Sequence, residues 1–528
     1  MGESKAQIVR AASLVMALFV VSRVAGLIRQ MVIGTMFGTS GELDAYMAAS
    51  RIPEMIFLVV AGGALGSAFI PTFTALLTQE GSRAAWRLAS AVVNLVILAL
   101  IGLAAVTAIL APLAVRTVIA PGFSIEQQAL TVRLLRVMLL SSVIFGASGL
   151  VMGALNAHQH FLLPALAPTV YNLAIIAGGW LLGPRMGVMG LAVGVTVGAC
   201  LHLLVQVPGL LRYGARYIPV LDLGSAAVRE VGRLMGPRVI GTAIAQLNFV
   251  INNSLASRMG EGAVSAINYA WMIMLLPQGV FAQAVGTAAF PTFAAQVARR
   301  EYADMRATLA TTLRMVFFLC LPATVGLVVL GRPLVRLIFE RGAFVASSTD
   351  AVTWALAFYA LGLVGHAGLE IVARAFYALH DTSTPVWAGG LAVVLNIGLS
   401  LTLPVVFQQI GWPAHAGLAL ANALATLFEL GLLMLLIRLR MRGIEGRAML
   451  WSSSKSGLAA LGMGAVLIVW QLALPGVGAP VLAVGGVVLG VVAYIGLALL
   501  LRAEEPHKVL ELLLRWLERR KSQAVARS

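Results

Sequence analysis

Apolar runs of about 20 residues or more recur from one end of this chain to the other, the length a helix needs to cross the hydrocarbon of a bilayer. Inside lipid every backbone N–H and C=O must find its partner within the chain, so such runs fold as helices. With 528 residues, 60% of them hydrophobic and 11% charged, the chain is predicted to be an all-α polytopic membrane protein. Counting runs and their breaks gives fourteen spans, roughly 11–37, 44–77, 88–115, 130–156, 160–183, 187–211, 237–257, 262–296, 308–338, 350–378, 384–408, 413–437, 450–474 and 479–501. An even number puts both termini on one side. Lys5 and Arg10 precede the first run as in a signal peptide, but Arg23 interrupts it and no cleavage pattern follows, so it reads as an uncleaved span.

Charge decides which side the termini take. The chain has 37 basic and 21 acidic residues, a net +16 that in a soluble protein would suggest nucleic acid. Here the basic residues gather in alternate connections: Arg83 and Arg87, then Arg212, Arg216, Arg229 and Arg233, then Arg299, Arg300 and Arg306, then Arg438, Arg440, Arg442 and Arg447, and in the tail Lys508, Arg515, Arg519, Arg520 and Lys521. The positive-inside rule accounts for this pattern and makes both termini cytoplasmic, in a plasma (inner) membrane, with no nucleic-acid partner. The opposite loops, such as 38–43 and 120–128, are poor in Lys and Arg. Segments 221–234 and 504–521 read either as interfacial helices or as solvated linkers, the second carrying an apolar stripe of Leu510, Leu513, Leu514 and Leu517. Cys200 and Cys320 stand alone within apolar runs and read as core packing, with no disulfide or metal site.

An internal repeat organises the spans. Ala64-Leu-Gly66-Ser-Ala-Phe-Ile-Pro71-Thr72-Phe73 returns 220 residues later as Ala284-Val-Gly286-Thr-Ala-Ala-Phe-Pro291-Thr292-Phe293. Nearly the same displacement carries Pro112-Leu113 onto Pro333-Leu334 and Pro164 onto Pro385. The expected domains are therefore an N-lobe of six helices (1–215), a linker (216–236) and a C-lobe of six helices (237–437). A loop (438–449), two further helices (450–502) and a basic amphipathic tail (503–528) complete the chain. Because six is even, the lobes are parallel repeats, and in such transporters the substrate path lies at the repeat interface.

Five charges fall within or beside the first two runs: Arg23, Arg29, Asp44, Arg51 and Glu54. A charge at bilayer depth costs about 2.5 to 3.5 kcal/mol on insertion scales, so these residues are expected to face a wet cavity or a partner. Pro53, Gly62 and Gly63 break the second run, as broken helices do along transport paths. Arg23 and Arg29 are about 120° apart on an ideal helix, which a bend at Gly26 would reconcile. Arg51 and Glu54 either neutralise one another at i,i+3 or contact substrate. His366, Glu370 and Arg374 follow i,i+4,i+8 and share one helix face, where they either couple and gate transport or form a static pair. Asn248, Asn252, Asn253 and Gln278 either line a cavity or hydrogen-bond between helices, and His158 and His160 read as solvated in a turn. With no nucleophile elbow, P-loop, paired carboxylates or metal-ligand cluster, neither an enzyme nor a cofactor is expected.

Several strings resemble a known family. Ser22-Arg23-Val24-Ala25-Gly26-Leu27-Ile28-Arg29, Leu43-Asp44-Ala45-Tyr46, Arg51-Ile52-Pro53, Gly63-Ala64-Leu65, Phe339-Glu340-Arg341-Gly342-Ala343-Phe344 and Ala373-Arg374-Ala375-Phe376-Tyr377-Ala378 with Asp381-Thr382 are similar to the MurJ (MviN) lipid II flippases. That family belongs to the multidrug/oligosaccharidyl-lipid/polysaccharide exporter superfamily. The resemblance implies fourteen spans and alternating access. It also implies translocation of undecaprenyl-diphosphate-linked disaccharide-pentapeptide to the outer leaflet, with lipid II, membrane lipids and cell-wall synthesis proteins as partners. It makes Arg23, Arg29 and Asp44 cavity residues. The residues' own placement adds Arg51 and Glu54 as candidate substrate contacts, and His366, Glu370, Arg374 and Asn252 as candidates for coupling or gating. The chain departs from the family where Phe57 replaces an arginine, Gly62 a glutamate, Met272 or Trp271 a cavity arginine, and Gln30 an acidic neighbour of Arg29. Asn252 and Ser400 stand where some members carry carboxylates. An Arg-lined cleft suits a lipid diphosphate, and membrane potential biases it by about 2.3 kcal/mol per charge per 100 mV. The alternatives are an exporter of another lipid-linked oligosaccharide and a transport-inactive cell-wall scaffold.

Overall fold

The computed structural model describes residues 2–59 and 66–506, so the Gly62–Gly63 break, the start of the first repeat string and the apolar stripe of the tail lie outside the described residues. Every regular element among the described residues is helical. The chain separates into two compact units, one of residues 1–265 with 341–345, the other of 266–340 with 346–528.

The first unit contains α1 (Gly2–Phe37), α2 (Gly41–Val59), α3 (Gly66–Gln79) and α4 (Ser82–Ala114), the last continuing as a π turn, Val115–Ile119. Then come α5 (Ile125–Ala157), α6 (Leu162–Ala177), a π turn at Gly178–Leu182, α7 (Gly183–Met186), α8 (Met189–Leu204), α9 (Val207–Arg212) and α10 (Ala226–Ala256). α5 starts with a reciprocal cap in which Ser124 Oγ accepts from Gln127 N–H and Gln127 Oε1 accepts from Ser124 N–H. α1 runs unbroken through Gly26, so the helix is not unwound between Arg23 and Arg29. Segment 221–234 is not a free linker but packs on the first unit. Val228 and Val231 are buried against Phe69, Phe73, Trp86 and Leu150, and Arg87 Nε meets Asp222 Oδ2 at 2.7 Å. His158 is likewise not solvated: its ring stacks on Tyr213 with centroids 4.5 Å apart and on Trp86 at 5.8 Å, and burial lowers its pKa.

The second unit contains α11 (Ala263–Pro277), which starts in the last residues of the first, a π turn at Gln278–Gln283, α12 (Ala284–Ala298), α13 (Tyr302–Phe339), α14 (Ala346–Leu361) and α15 (Leu363–Ala378). It goes on through α16 (Ser383–Gln409), α17 (Ala414–Arg440), α18 (Gly446–Ala473), a π turn at Val481–Gly485 and α19 (Gly486–Leu500). α14 and α15 meet at 43° across Gly362, where α17 passes so close that a side chain would strike Ala423. Phe318, Leu330, Met463, Leu467 and Tyr494 make the core of α13, α18 and α19. Below it Arg314 bridges Glu504 Oε2 at 2.8 Å and Glu505 Oε1 at 2.7 Å, and Ser452 Oγ donates to Glu505 at 2.6 Å. Burial opposes charge on Glu505, but the bonds from Ser452 and Arg314 more than offset it and hold its pKa below the usual range.

Among the described residues eleven helices are long and apolar enough to cross a membrane, or twelve with the bent pair counted as one span. The other two expected spans correspond to α2 and α3, which lie on either side of residues 60–65, and to α10; these are helical but not in that set. The apolar runs face outward as well as inward. Val386, Trp387, Leu391 and Val394 of α16 are all exposed, as lipid-facing residues of a span are. That corrects the reading of Cys200, which stands exposed on α8 beside Val197 and Leu201, whereas Cys320 is buried as expected. The repeat string forms matching helices, with Pro71 inside α3 and Pro291 inside α12, and Phe73 and Phe293 both at 0% exposure.

The turn before α16 yields a pH prediction. Asp381 accepts from Thr384 N–H at 3.0 Å and Thr384 Oγ1 at 2.8 Å, and these bonds hold its pKa below the usual carboxylate value. Its contribution is therefore complete above the unfolded-state pKa and lost as pH falls through the lower, folded one. Asp381→Ala is expected to lower stability at neutral pH by about 1 kcal/mol, as loss of a helix cap does, and the gap from wild type should close below about pH 4 in thermal unfolding.

Candidate functional site

The charges that the sequence singles out in the first unit lie on α1 and α2. Asp44, in the first turn of α2, is at 0% exposure. Its Oδ2 accepts from Gly262 N–H and its Oδ1 from Ser265 N–H, both at 2.7 Å. These are the otherwise orphaned donors at the start of α11, where the helix dipole adds positive potential, so the carboxylate is held by charge-assisted bonds on both oxygens. The same end is stitched elsewhere. Gly122 N–H donates to Ser257 Oγ at 3.2 Å, Asn253 Nδ2 to Ile119 O at 3.0 Å, and Ala343 N–H to Thr35 O at 2.8 Å. Gly342 permits the last bond: at φ +58° it lies so close to Thr35 O that no side chain fits.

Arg29 sits deeper. It and Glu54 act electrostatically on the hydroxyls of Tyr46 and Tyr171, so two α2 residues, one α1 residue and one α6 residue share a polar patch. Arg29 Nε is buried with no hydrogen-bond partner, as is Gln30 Oε1. Arg51 Nη1 meets Glu54 Oε2 at 3.5 Å, and the Arg51 guanidinium lies 5.8 Å from the Phe249 ring centroid. That i,i+3 pair is long and its carboxylate is 57% exposed, so it is worth only a few tenths of a kcal/mol. Arg29, Arg51 and Glu54 leave the patch one positive charge in excess. Glu54→Gln is accordingly expected to shift stability by less than about 0.5 kcal/mol. It should tighten binding of inorganic diphosphate about threefold or more, as measured by calorimetry on purified protein. Arg23 is apart from this group, exposed, with its guanidinium 5.9 Å from the Phe19 ring.

Phe57 and Trp271 each pack against other aromatic rings. Phe57 packs on Phe145 at 4.7 Å, and Phe145 in turn meets Tyr171 edge-on at 5.0 Å. Trp271 meets Tyr359 at 5.3 Å and His366 at 5.2 Å, both edge-on. Phe249 beside Arg51 and the Phe145–Tyr171 pair were not singled out from sequence, because an aromatic in a span has the same signature whether it packs a core or meets a charge.

In the second unit His366, Glu370 and Arg374 line one cavity. Arg374 Nη1 pairs with Glu370 Oε1 at 2.6 Å, while His366 Nε2 lies 3.2 Å from Asn422 Oδ1 and 3.3 Å from Thr426 Oγ1. Asn252 belongs to the first unit, where its Nδ2 donates to Asn248 Oδ1 at 3.2 Å.

This architecture recurs among solved structures. A structure described as lipid II flippase MurJ in an inward closed conformation matches with TM-score 0.78 at 24% identity, covering 92% of this chain and 98% of that one. An inward-facing multidrug resistance MATE family transporter of the MOP superfamily matches with TM-score 0.65 at 16% identity, covering 82% of this chain and 97% of that one. The fold is thus the multi-pass helical one of these two solved structures. The family model for lipid II flippase MurJ matches residues 33–484. The lipid II flippase MurJ of Burkholderia cenocepacia is 34% identical over 437 residues, 80% of this chain and 82% of that protein. A probable lipid II flippase MurJ of Haemophilus influenzae is 29% identical over 473 residues, 84% of this chain and 89% of that protein. The chain belongs to the MurJ lipid II flippase family.

Proposed function

We propose that this protein moves the diphosphate-linked peptidoglycan precursor lipid II from the inner to the outer leaflet of the plasma membrane. The observation that carries the reading is the Arg29 patch in a family member. The half-buried Arg29, whose Nε has no protein partner, and Arg51, held by a long pair to Glu54, offer charge-assisted donors to a dianionic lipid head. Asp44, Tyr46, Tyr171 and Glu54 shape that site, and Arg23 offers an exposed cation on the same helix. The basic loops and the even span count support cytoplasmic termini. Transport proceeds by alternating access, driven by membrane potential or an ion gradient rather than by ATP. In each cycle the bonds from Gly262 and Ser265 to Asp44 break and re-form, and His366, Glu370, Arg374 and Asn252 serve coupling or gating. Cell-wall synthesis enzymes are the natural consumers of the product.

The test is rescue of growth in cells depleted of their own flippase. The wild-type chain is expected to restore growth and cell shape. A well-expressed chain that fails to do so points instead to another cargo or to a scaffold.

A further inference from the structure

The cavity in the second unit has features that a static ion pair does not need. Its volume is about 430 Å³, and Gln278, Phe290, His366, Glu370, Arg374 and Tyr377 line it. Volumes of roughly 300 to 1,000 Å³ are typical of small-ligand pockets, so this one takes a terminus or a head group rather than a whole glycopeptide.

Arg374 is seated on purpose-shaped backbone. A side chain at Gly286 would come within 2.7 Å of Nη1, so glycine there leaves room for the guanidinium. Nη1 is fully used, donating to Glu370 O at 2.7 Å and pairing with Glu370 Oε1 at 2.6 Å. Nε and Nη2 have no protein hydrogen bond among the described residues. They form one edge of the planar fork, the edge that accepts two oxygens of a carboxylate or phosphate. Opposite in chemistry is Gln278. It is only 9% exposed, yet its Oε1 has no partner. A buried acceptor gains from a donor, so Gln278 Oε1 is placed to accept a hydrogen bond from a ligand in the cavity. Gln278 also opens the π turn that follows Pro277, and such turns frequently mark functional sites.

We infer that this pocket binds a small zwitterionic group, its oxoanion on the Nε–Nη2 edge of Arg374 and its ammonium or N–H donor on Gln278 Oε1 and Glu370. Two sources carry that chemistry, the amino-carboxylate end of a peptide and the phosphoethanolamine head of a membrane lipid. Assigning the peptide to the transported precursor rests on the flippase reading. The pocket's selectivity does not.

The full-length protein in phosphatidylcholine nanodiscs is titrated by calorimetry with glycylglycine, N-acetylglycylglycine, glycylglycinamide and O-phosphoethanolamine. Zwitterions are expected to bind, and blocking either end of glycylglycine to weaken it by about tenfold or more. Tighter binding of glycylglycine assigns the site to a peptide end, and tighter binding of phosphoethanolamine to a lipid head. Gln278→Leu, which removes the orphan acceptor and so does not threaten folding, and Arg374→Lys, which keeps charge but loses the fork, are each expected to cost about tenfold in affinity. Failure of every zwitterion to bind at about 100 mM, equal binding of the blocked peptides, or unchanged affinity in both variants overturns the inference. Loss of lipid II translocation with zwitterion binding intact counts against the flippase reading alone.

Discussion

Asp44→Ala is expected to abolish rescue of flippase-depleted cells while the protein still reaches the membrane. The substitution removes two charge-assisted bonds of 2.7 Å and leaves the N–H groups of Gly262 and Ser265 buried without an acceptor. Bonds to a charged group are worth about 1.5 to 3 kcal/mol each, so the stitched end of the first unit should open for much of the time. Ser257, 3% exposed, reports this directly. As a cysteine, in a Cys200→Ala background, it is expected to resist a water-soluble thiol reagent when Asp44 is present and to react when it is absent. Asp44→Asn keeps one acceptor oxygen and should fall in between. Full growth with Asp44→Ala would show that closure of this end is not part of the cycle.

Arg29→Ala is expected to reduce translocation by about tenfold or more, the loss of one charge-assisted contact of about 1.5 to 3 kcal/mol. A structural role makes the opposite prediction for stability. Because Arg29 Nε is buried without a partner, its removal should leave the thermal midpoint unchanged or raise it, whereas an arginine that held helices together would lower it. Arg29→Lys retains charge without the planar fork and should recover only part of the activity. Arg23→Ala should have the smaller effect, since its guanidinium is exposed over Phe19.

Much of this was legible because membrane helices announce themselves by length and because charge inside them is scarce. The spacing of His366, Glu370 and Arg374 placed all three on one face, and all three line one cavity. The 220-residue repeat placed Phe73 and Phe293 in equivalent helices, and both are fully buried. What stayed hidden depends on which neighbour a face meets. Hydropathy cannot tell a lipid-facing residue from a packed one, so Cys200 reads like Cys320. A polar turn looks solvated until Tyr213 and Trp86 close on His158. The partner of Asp44 is a helix start more than 200 residues away, and backbone N–H groups leave no trace in a sequence.

Lipid II accessibility from outside the cell probes the proposal most directly. In cells depleted of their own flippase and supplied with this chain, labelled precursor should become accessible to an external enzyme with the wild type and stay inaccessible with Arg29→Ala at equal expression. Precursor that remains inside with the wild type, or reaches the outer leaflet equally well without Arg29, would contradict a guanidinium-guided passage.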